Sequence, residues 1–152
     1  MSDEALPVDG MPLAGGCLCG AVRYEISATP MGAAYCHCRL CRRASGAPVV
    51  AWLSLKAADL RYSAGAPRQF QSSSWARREF CGACGTPLAF RFRQKGEEYV
   101  DVTVGSLDRP QDIRPGLHIY TDSALPWLVI DDGLKRLPRH GAGFAPDGFG
   151  AA

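Results

Sequence analysis

The sequence predicts a single mostly-β domain of antiparallel strands with little helix. Two segments alternate apolar and polar residues, Leu88-Ala89-Phe90-Arg91-Phe92-Arg93 late in its run and Val100-Asp101-Val102-Thr103-Val104 throughout. A period of two is the mark of a strand with one face buried. Glycine and proline, 17 and 11 residues, break the remaining apolar runs before they reach helical length. The chain has 152 residues, 47% of them hydrophobic. That is about one domain's worth, long enough to bury a core without disulfide staples.

The elements follow in order. Residues 1–11 are polar or small, with Pro7 and Gly10, and read as a flexible leader to a domain over 12–139. Residues 20–27 interleave Val22, Tyr24 and Ile26 with Arg23 and Glu25, which suits a strand. Residues 38–44 allow one or two helical turns, stopped by Gly46 and Pro48. Residues 48–55 are apolar except for Ser54 and suit a buried strand. A short turn is expected at 57–60, then strands at 68–73, 75–80, 88–93 and 99–104. Residues 140–152 are glycine-rich and without periodicity, and are expected to form a flexible tail.

Composition excludes several classes. The longest stretches without charge, 10–22 and 26–38, are broken by Gly, Pro or polar residues and fall short of the roughly 18 apolar residues of a membrane helix. The start, Met1-Ser2-Asp3-Glu4, is acidic and lacks the basic and apolar regions of a signal peptide. A cytoplasmic protein is therefore expected, with no membrane partner. A net charge of +2 gives no global field to attract nucleic acid. Oligomeric state is not legible.

Cysteine carries the chemical signal. The seven, Cys17, Cys19, Cys36, Cys38, Cys41, Cys81 and Cys84, each lie within three residues of another. A disulfide framework prefers an even count and spread spacing, whereas clustered pairs point to metal. Cys81-Gly82-Ala83-Cys84-Gly85 has the form of a zinc knuckle, in which glycine eases the turn. Cys17-Leu18-Cys19 can supply the two further thiolates that close a tetrahedron. Cys36, Cys38 and Cys41 then remain, three thiolates with no evident fourth protein ligand. A closed site of four ligands is structural, and an open site of three leaves a position for water or substrate. His37 is the rival fourth ligand, but in an extended segment its side chain points away from Cys36 and Cys38. His118 and His140 stand alone and read as packing or surface residues.

Three segments together resemble the glutathione-dependent formaldehyde-activating enzyme (GFA) family, also called the CENP-V/GFA domain. They are Gly15-Gly16-Cys17-Leu18-Cys19-Gly20-Ala21-Val22-Arg23-Tyr24, Cys36-His37-Cys38-Arg39-Leu40-Cys41-Arg42-Arg43-Ala44-Ser45-Gly46-Ala47 and Phe80-Cys81-Gly82-Ala83-Cys84-Gly85-Thr86. His118-Ile119-Tyr120 and Pro126-Trp127 extend the match across 12–139. The resemblance implies an Mss4-like (β-tent) fold with two zinc ions per chain. It assigns Cys17, Cys19, Cys81 and Cys84 to a structural zinc and Cys36, Cys38 and Cys41 to a catalytic one. It further implies a carbon–sulfur lyase that condenses a glutathione-like thiol with a formaldehyde-like aldehyde to an S-hydroxymethyl adduct.

Arg39, Arg42 and Arg43 flank the third cluster and are candidates to bind the carboxylates of such a thiol. The alternatives are a zinc-stabilised binding module without catalytic activity and a thiol switch. The switch lacks the βαβ context of thioredoxin-like CxxC motifs.

Overall fold

The computed structural model describes residues 12–149, so the leader expected over 1–11 lies outside the described residues. Among the described residues eleven strands and one α-helix, with four short 3-10 turns between them, follow in order. They are β1 Leu13–Gly16, β2 Arg23–Ile26, β3 Gly32–Cys36, α1 Arg39–Ser45, β4 Val50–Lys56, β5 Leu60–Ala64 and β6 Arg68–Gln71. Then come β7 Ala76–Phe80, β8 Pro87–Gln94, β9 Glu97–Thr103, β10 Leu117–Ile119 and β11 Lys135–Arg136. The protein is mostly β, as its alternating segments require.

Two sheets form. The smaller runs β1-β2-β5 and the larger β11-β10-β3-β4-β9-β8-β7-β6. Pairing is antiparallel except at β10, which lies parallel to both β3 and β11. The fold is thus antiparallel in all but these two pairings, and β10 reaches the edge of β3 through a long crossover rather than a hairpin.

The pleat of the large sheet separates two environments. Leu53 and Leu55 of β4 and Val100 and Val102 of β9 are almost fully buried and meet Leu13, Tyr24 and Ile26 of the small sheet. Trp52 and Ser54, and Tyr99 and Asp101, occupy the alternate positions and face the other way. That second face is the floor of the site described below.

Close approach fixes the small sheet against the large one. The Tyr24 hydroxyl meets the Ser106 hydroxyl at 2.7 Å. A Cβ at Gly15 would overlap both that hydroxyl and the Ser106 carbonyl, so only glycine fits.

The β8–β9 hairpin turns on Lys95 and Gly96, with φ of 51° and 78°. Two positive φ values define the tight turn that suits twisted strands. The Asp147 carboxylate accepts from both turn amides, at 2.9 and 3.1 Å. Gln94 pairs with Gly143 O and Ala145 N, and Phe144 and Phe149 stand edge-on to Trp75. Residues 141–149 thus lie docked on the sheet, where the glycine-rich sequence gave reason to expect only a flexible tail.

Among the described residues no helix is long and apolar enough to cross a membrane.

Candidate metal centres and the adjoining cavity

The fold brings Cys17 and Cys19, between β1 and β2, to Cys81 and Cys84, between β7 and β8. All four sulfurs lie within 4.8 Å of one another. Cys17 and Cys19 Sγ are 3.5 Å apart, and Cys19 and Cys81 Sγ 3.8 Å. A tetrahedral ion with zinc–sulfur bonds of about 2.3 Å sets its sulfurs about 3.8 Å apart, so the quartet fits one. The backbone prepares it. The Val22 N–H donates to Cys17 Sγ at 3.2 Å, and the Ala83 and Cys84 N–H groups donate to Cys81. The Thr86 hydroxyl, 3.1 Å from Cys84 Sγ, holds that thiol down at about 5. An ion here would join the small sheet to the large one, closing a loop of more than sixty residues.

The second cluster is built around the start of α1. Cys36 ends β3, Cys38 is the N-cap and Cys41 sits in the first turn. No Ser, Thr, Asp or Asn precedes this helix. The Cys38 sulfur takes their place, accepting the Cys41 N–H at 3.2 Å. Cys36 and Cys41 Sγ are 3.7 Å apart and both residues are buried. Three sulfurs this close cannot all ionise without a cation. Hydrogen bonding from Cys36 and Cys41 pulls Cys38 far down, while hydrogen bonding to Cys38 and Cys41, with burial, pushes Cys36 far up. A dication resolves that conflict. Among the described residues no further His, Cys, Asp or Glu completes this group, so each cluster could hold a metal ion, one with four ligands and one with three.

His37 turns away, as its alternation with Cys36 and Cys38 requires. It is fully buried, and its Nε2 meets His118 Nδ1 at 2.8 Å. His118 Nε2 in turn donates to the Asp132 carboxylate at 2.9 Å. A carboxylate accepts only, so His118 carries its proton on Nε2 and Nδ1 accepts from His37 when both rings are neutral. Burial holds His37 below the usual imidazole range. With the His37 N–H bonded to Ile119 O at 3.0 Å, this chain fixes the backbone between Cys36 and Cys38. The sequence treated His118 as isolated. Its partner lies 81 residues away, and only the parallel seating of β10 on β3 brings them together.

The trio opens onto a cavity of about 730 Å³. Its floor is the outward face of the large sheet, with Trp52, Phe90, Phe92 and Tyr99, and Trp75 and Phe144 wall it. Tyr120 beside the trio holds φ 55° and ψ 40°, a left-handed conformation unfavourable to a bulky residue. Such strain collects at functional sites.

The arginines divide. Arg39 is exposed and lines the cavity. Arg42 instead donates to the backbone carbonyls of His37 and Ser123, fastening the helix to the loop after β10. Arg43 does not line that cavity but an adjoining hollow, which shares Leu40, Cys41 and Arg78 with it. Sequence reasoning missed Arg78. Its guanidinium lies 4.8 Å from the centre of the Phe90 ring and 3.8 Å from Cys41 Sγ.

Asp101 is the lone carboxylate among the described residues lining the cavity. Burial pushes it up to about 6, although Ser54 donates to it. Its folded pKa therefore exceeds its unfolded one, near 4. The stability this proton contributes is full below about pH 4 and is lost as pH rises through about 6. Asp101→Asn is expected to raise stability on the order of 2 kcal/mol at pH 7 and hardly at all at pH 4, read by urea unfolding at each pH.

Fold and site together define a mostly-β protein with one closed and one open thiolate cluster beside an aromatic cavity. The model of the family described as glutathione-dependent formaldehyde-activating enzyme matches residues 12–123, and the chain belongs to that family. It is 29% identical over 85 residues to an uncharacterized lyase of Schizosaccharomyces pombe, a match covering 56% of this chain and 61% of that protein. It also resembles the crystal structure of a Rhodobacter sphaeroides protein at 26% identity and a TM-score of 0.52, covering 82% of this chain and 98% of that one.

Proposed function

We propose that the protein is a zinc-dependent carbon–sulfur lyase, joining a glutathione-like thiol to a small aldehyde such as formaldehyde as an S-hydroxymethyl adduct. The observation that carries this reading is the unequal pair of clusters: four sulfurs that complete a tetrahedron, and three that border a cavity. Cys17, Cys19, Cys81 and Cys84 would hold a structural zinc, and Cys36, Cys38 and Cys41 a catalytic one. Zinc, when bound at an open site, lowers the pKa of a thiol ligand and so supplies the thiolate nucleophile at neutral pH.

This chain's residues do the rest. The aromatic floor and walls line the cavity with mostly apolar surface, which lowers the local dielectric and strengthens charge interactions there. The Arg78 and Arg39 cations face the trio's end of the cavity, where a substrate anion would sit. The buried His37 holds Cys36 and Cys38 in place. In the reaction the thiol S–H bond breaks, a sulfur–carbon bond forms to the carbonyl carbon, and the carbonyl oxygen gains a proton.

The test is exchange NMR of formaldehyde with glutathione, and with other thiols, in the presence of zinc-loaded protein. Adduct exchange faster than the uncatalysed rate is expected. No acceleration with any thiol would leave a zinc-stabilised binding module as the better description.

A further inference from the structure

We infer, resting on the lyase reading, that Arg78 is a catalytic residue of the reaction. Its guanidinium donates to the aldehyde's carbonyl oxygen as negative charge develops there, while Arg39 is left to hold the thiol's own carboxylate.

Arg78 differs from the cations beside it. It is half-buried and lines the cavity. Its neighbour Arg77 pairs with Glu98, and Arg91, across on β8, pairs with Glu79. Among the described residues no carboxylate lies within ion-pair reach of Arg78. Asp101 lines the same cavity and belongs to the same cross-strand row, but Phe90 of β8 stands between the two.

The place of the guanidinium gives this unpaired charge a use. Rooted on β7, the side chain passes over the Phe90 ring, 4.8 Å from its centre, and ends 3.8 Å from Cys41 Sγ. A flat guanidinium on an aromatic face keeps its N–H edge available to an oxygen. A cation this close to one sulfur of the trio lies beside whatever the trio holds. In the adduct the carbonyl oxygen is one carbon removed from the substrate sulfur. Both carboxylates of a glutathione-like thiol are several bonds farther away. Arg39, exposed on α1 and lining the same cavity, suits such a mobile carboxylate instead.

As the sulfur–carbon bond forms, the carbonyl π pair moves to oxygen. Arg78 donates N–H to that oxygen and stays charged throughout. The oxygen then takes a proton from water, and the water regains the one that the thiol released. A fixed donor aimed at developing charge acts on the transition state more than on bound substrate.

The test follows exchange of formaldehyde with glutathione by NMR on zinc-loaded protein. Arg78→Met is expected to lower kcat about a hundredfold, the worth of one oxyanion donor, with KM for glutathione nearly unchanged. Arg39→Met is expected to do the reverse, raising KM about tenfold with little loss of kcat. Arg78→Lys keeps the charge but loses the fork, so it should fall between native and Arg78→Met, and it serves where the methionine variant folds poorly. S-methylglutathione has both carboxylates but neither thiol nor carbonyl, and so reports binding alone. By calorimetry Arg39→Met should weaken its binding about tenfold and Arg78→Met should leave it unchanged. Zinc content should stay at two ions per chain in every variant.

A native kcat in Arg78→Met overturns the inference and leaves the lyase standing. Weakened S-methylglutathione binding in Arg78→Met would make Arg78 a carboxylate anchor and overturns it. Loss of the trio's zinc in both Arg78 variants would make it a support of the metal and overturns it likewise. A native protein that accelerates exchange with no thiol overturns the lyase reading and this inference together.

Discussion

Cys81→Ser is expected to lower the melting temperature by roughly 15 °C, because on the proposed reading it removes one of the four sulfurs that would close a tetrahedron around an ion joining the two sheets. Cys81 is 1% exposed, between β7 and β8, and its sulfur receives two backbone N–H groups. Structural zinc contributes about 10–16 kcal/mol in small domains, against a total stability of about 5–15 kcal/mol for an ordinary protein. A larger hydrophobic core retains part of the fold here, so a loss of about 5 kcal/mol is the scale to expect. Differential scanning calorimetry of the variant, and of the native protein after chelation, measures it. The two traces should move together. A Cys81→Ser protein that melts with the native one would show that the quartet does not carry the fold.

Cys38→Ser should behave in the opposite way. Serine is itself a preferred N-cap, so the Cys41 N–H keeps an acceptor and α1 keeps its first turn. The melting temperature should fall by no more than a few degrees. Adduct exchange should drop at least about a hundredfold, since losing even an outer partner of a metal ligand costs 10–100-fold. Zinc content should fall from two ions to one. The contrast between Cys38→Ser and Cys81→Ser is more telling than either result alone. Equal destabilisation by both would remove the distinction between a structural and a catalytic cluster.

The sequence made much of this visible for identifiable physical reasons. The strands β4, β7, β8 and β9 were legible because they carry large apolar or alternating side chains. The division of the cysteines was legible because ligand spacing is local within each pair or trio. Other elements left no such trace. β3 is Gly-Ala-Ala-Tyr-Cys, too small and unpatterned to signal a strand, and β10 has three residues and pairs parallel. Arg42 and Arg43 were chosen for closeness along the chain to Cys41. The cation that approaches this sulfur is Arg78, brought there by the register of β7 on β8. His37 and His118 likewise meet only through the sheet. Residues 141–149 owe their placement to Asp147 reaching a turn some fifty residues earlier, a contact with no local signature.

Diffraction at the zinc edge tests the central claim most directly. The four-plus-three division requires two anomalous peaks per chain. One should be enclosed by the sulfurs of Cys17, Cys19, Cys81 and Cys84. The other should be bound by Cys36, Cys38 and Cys41 with its remaining position taken by solvent or a small thiol. A trio without a peak, or an ion there capped by His37 or another side chain, would contradict it.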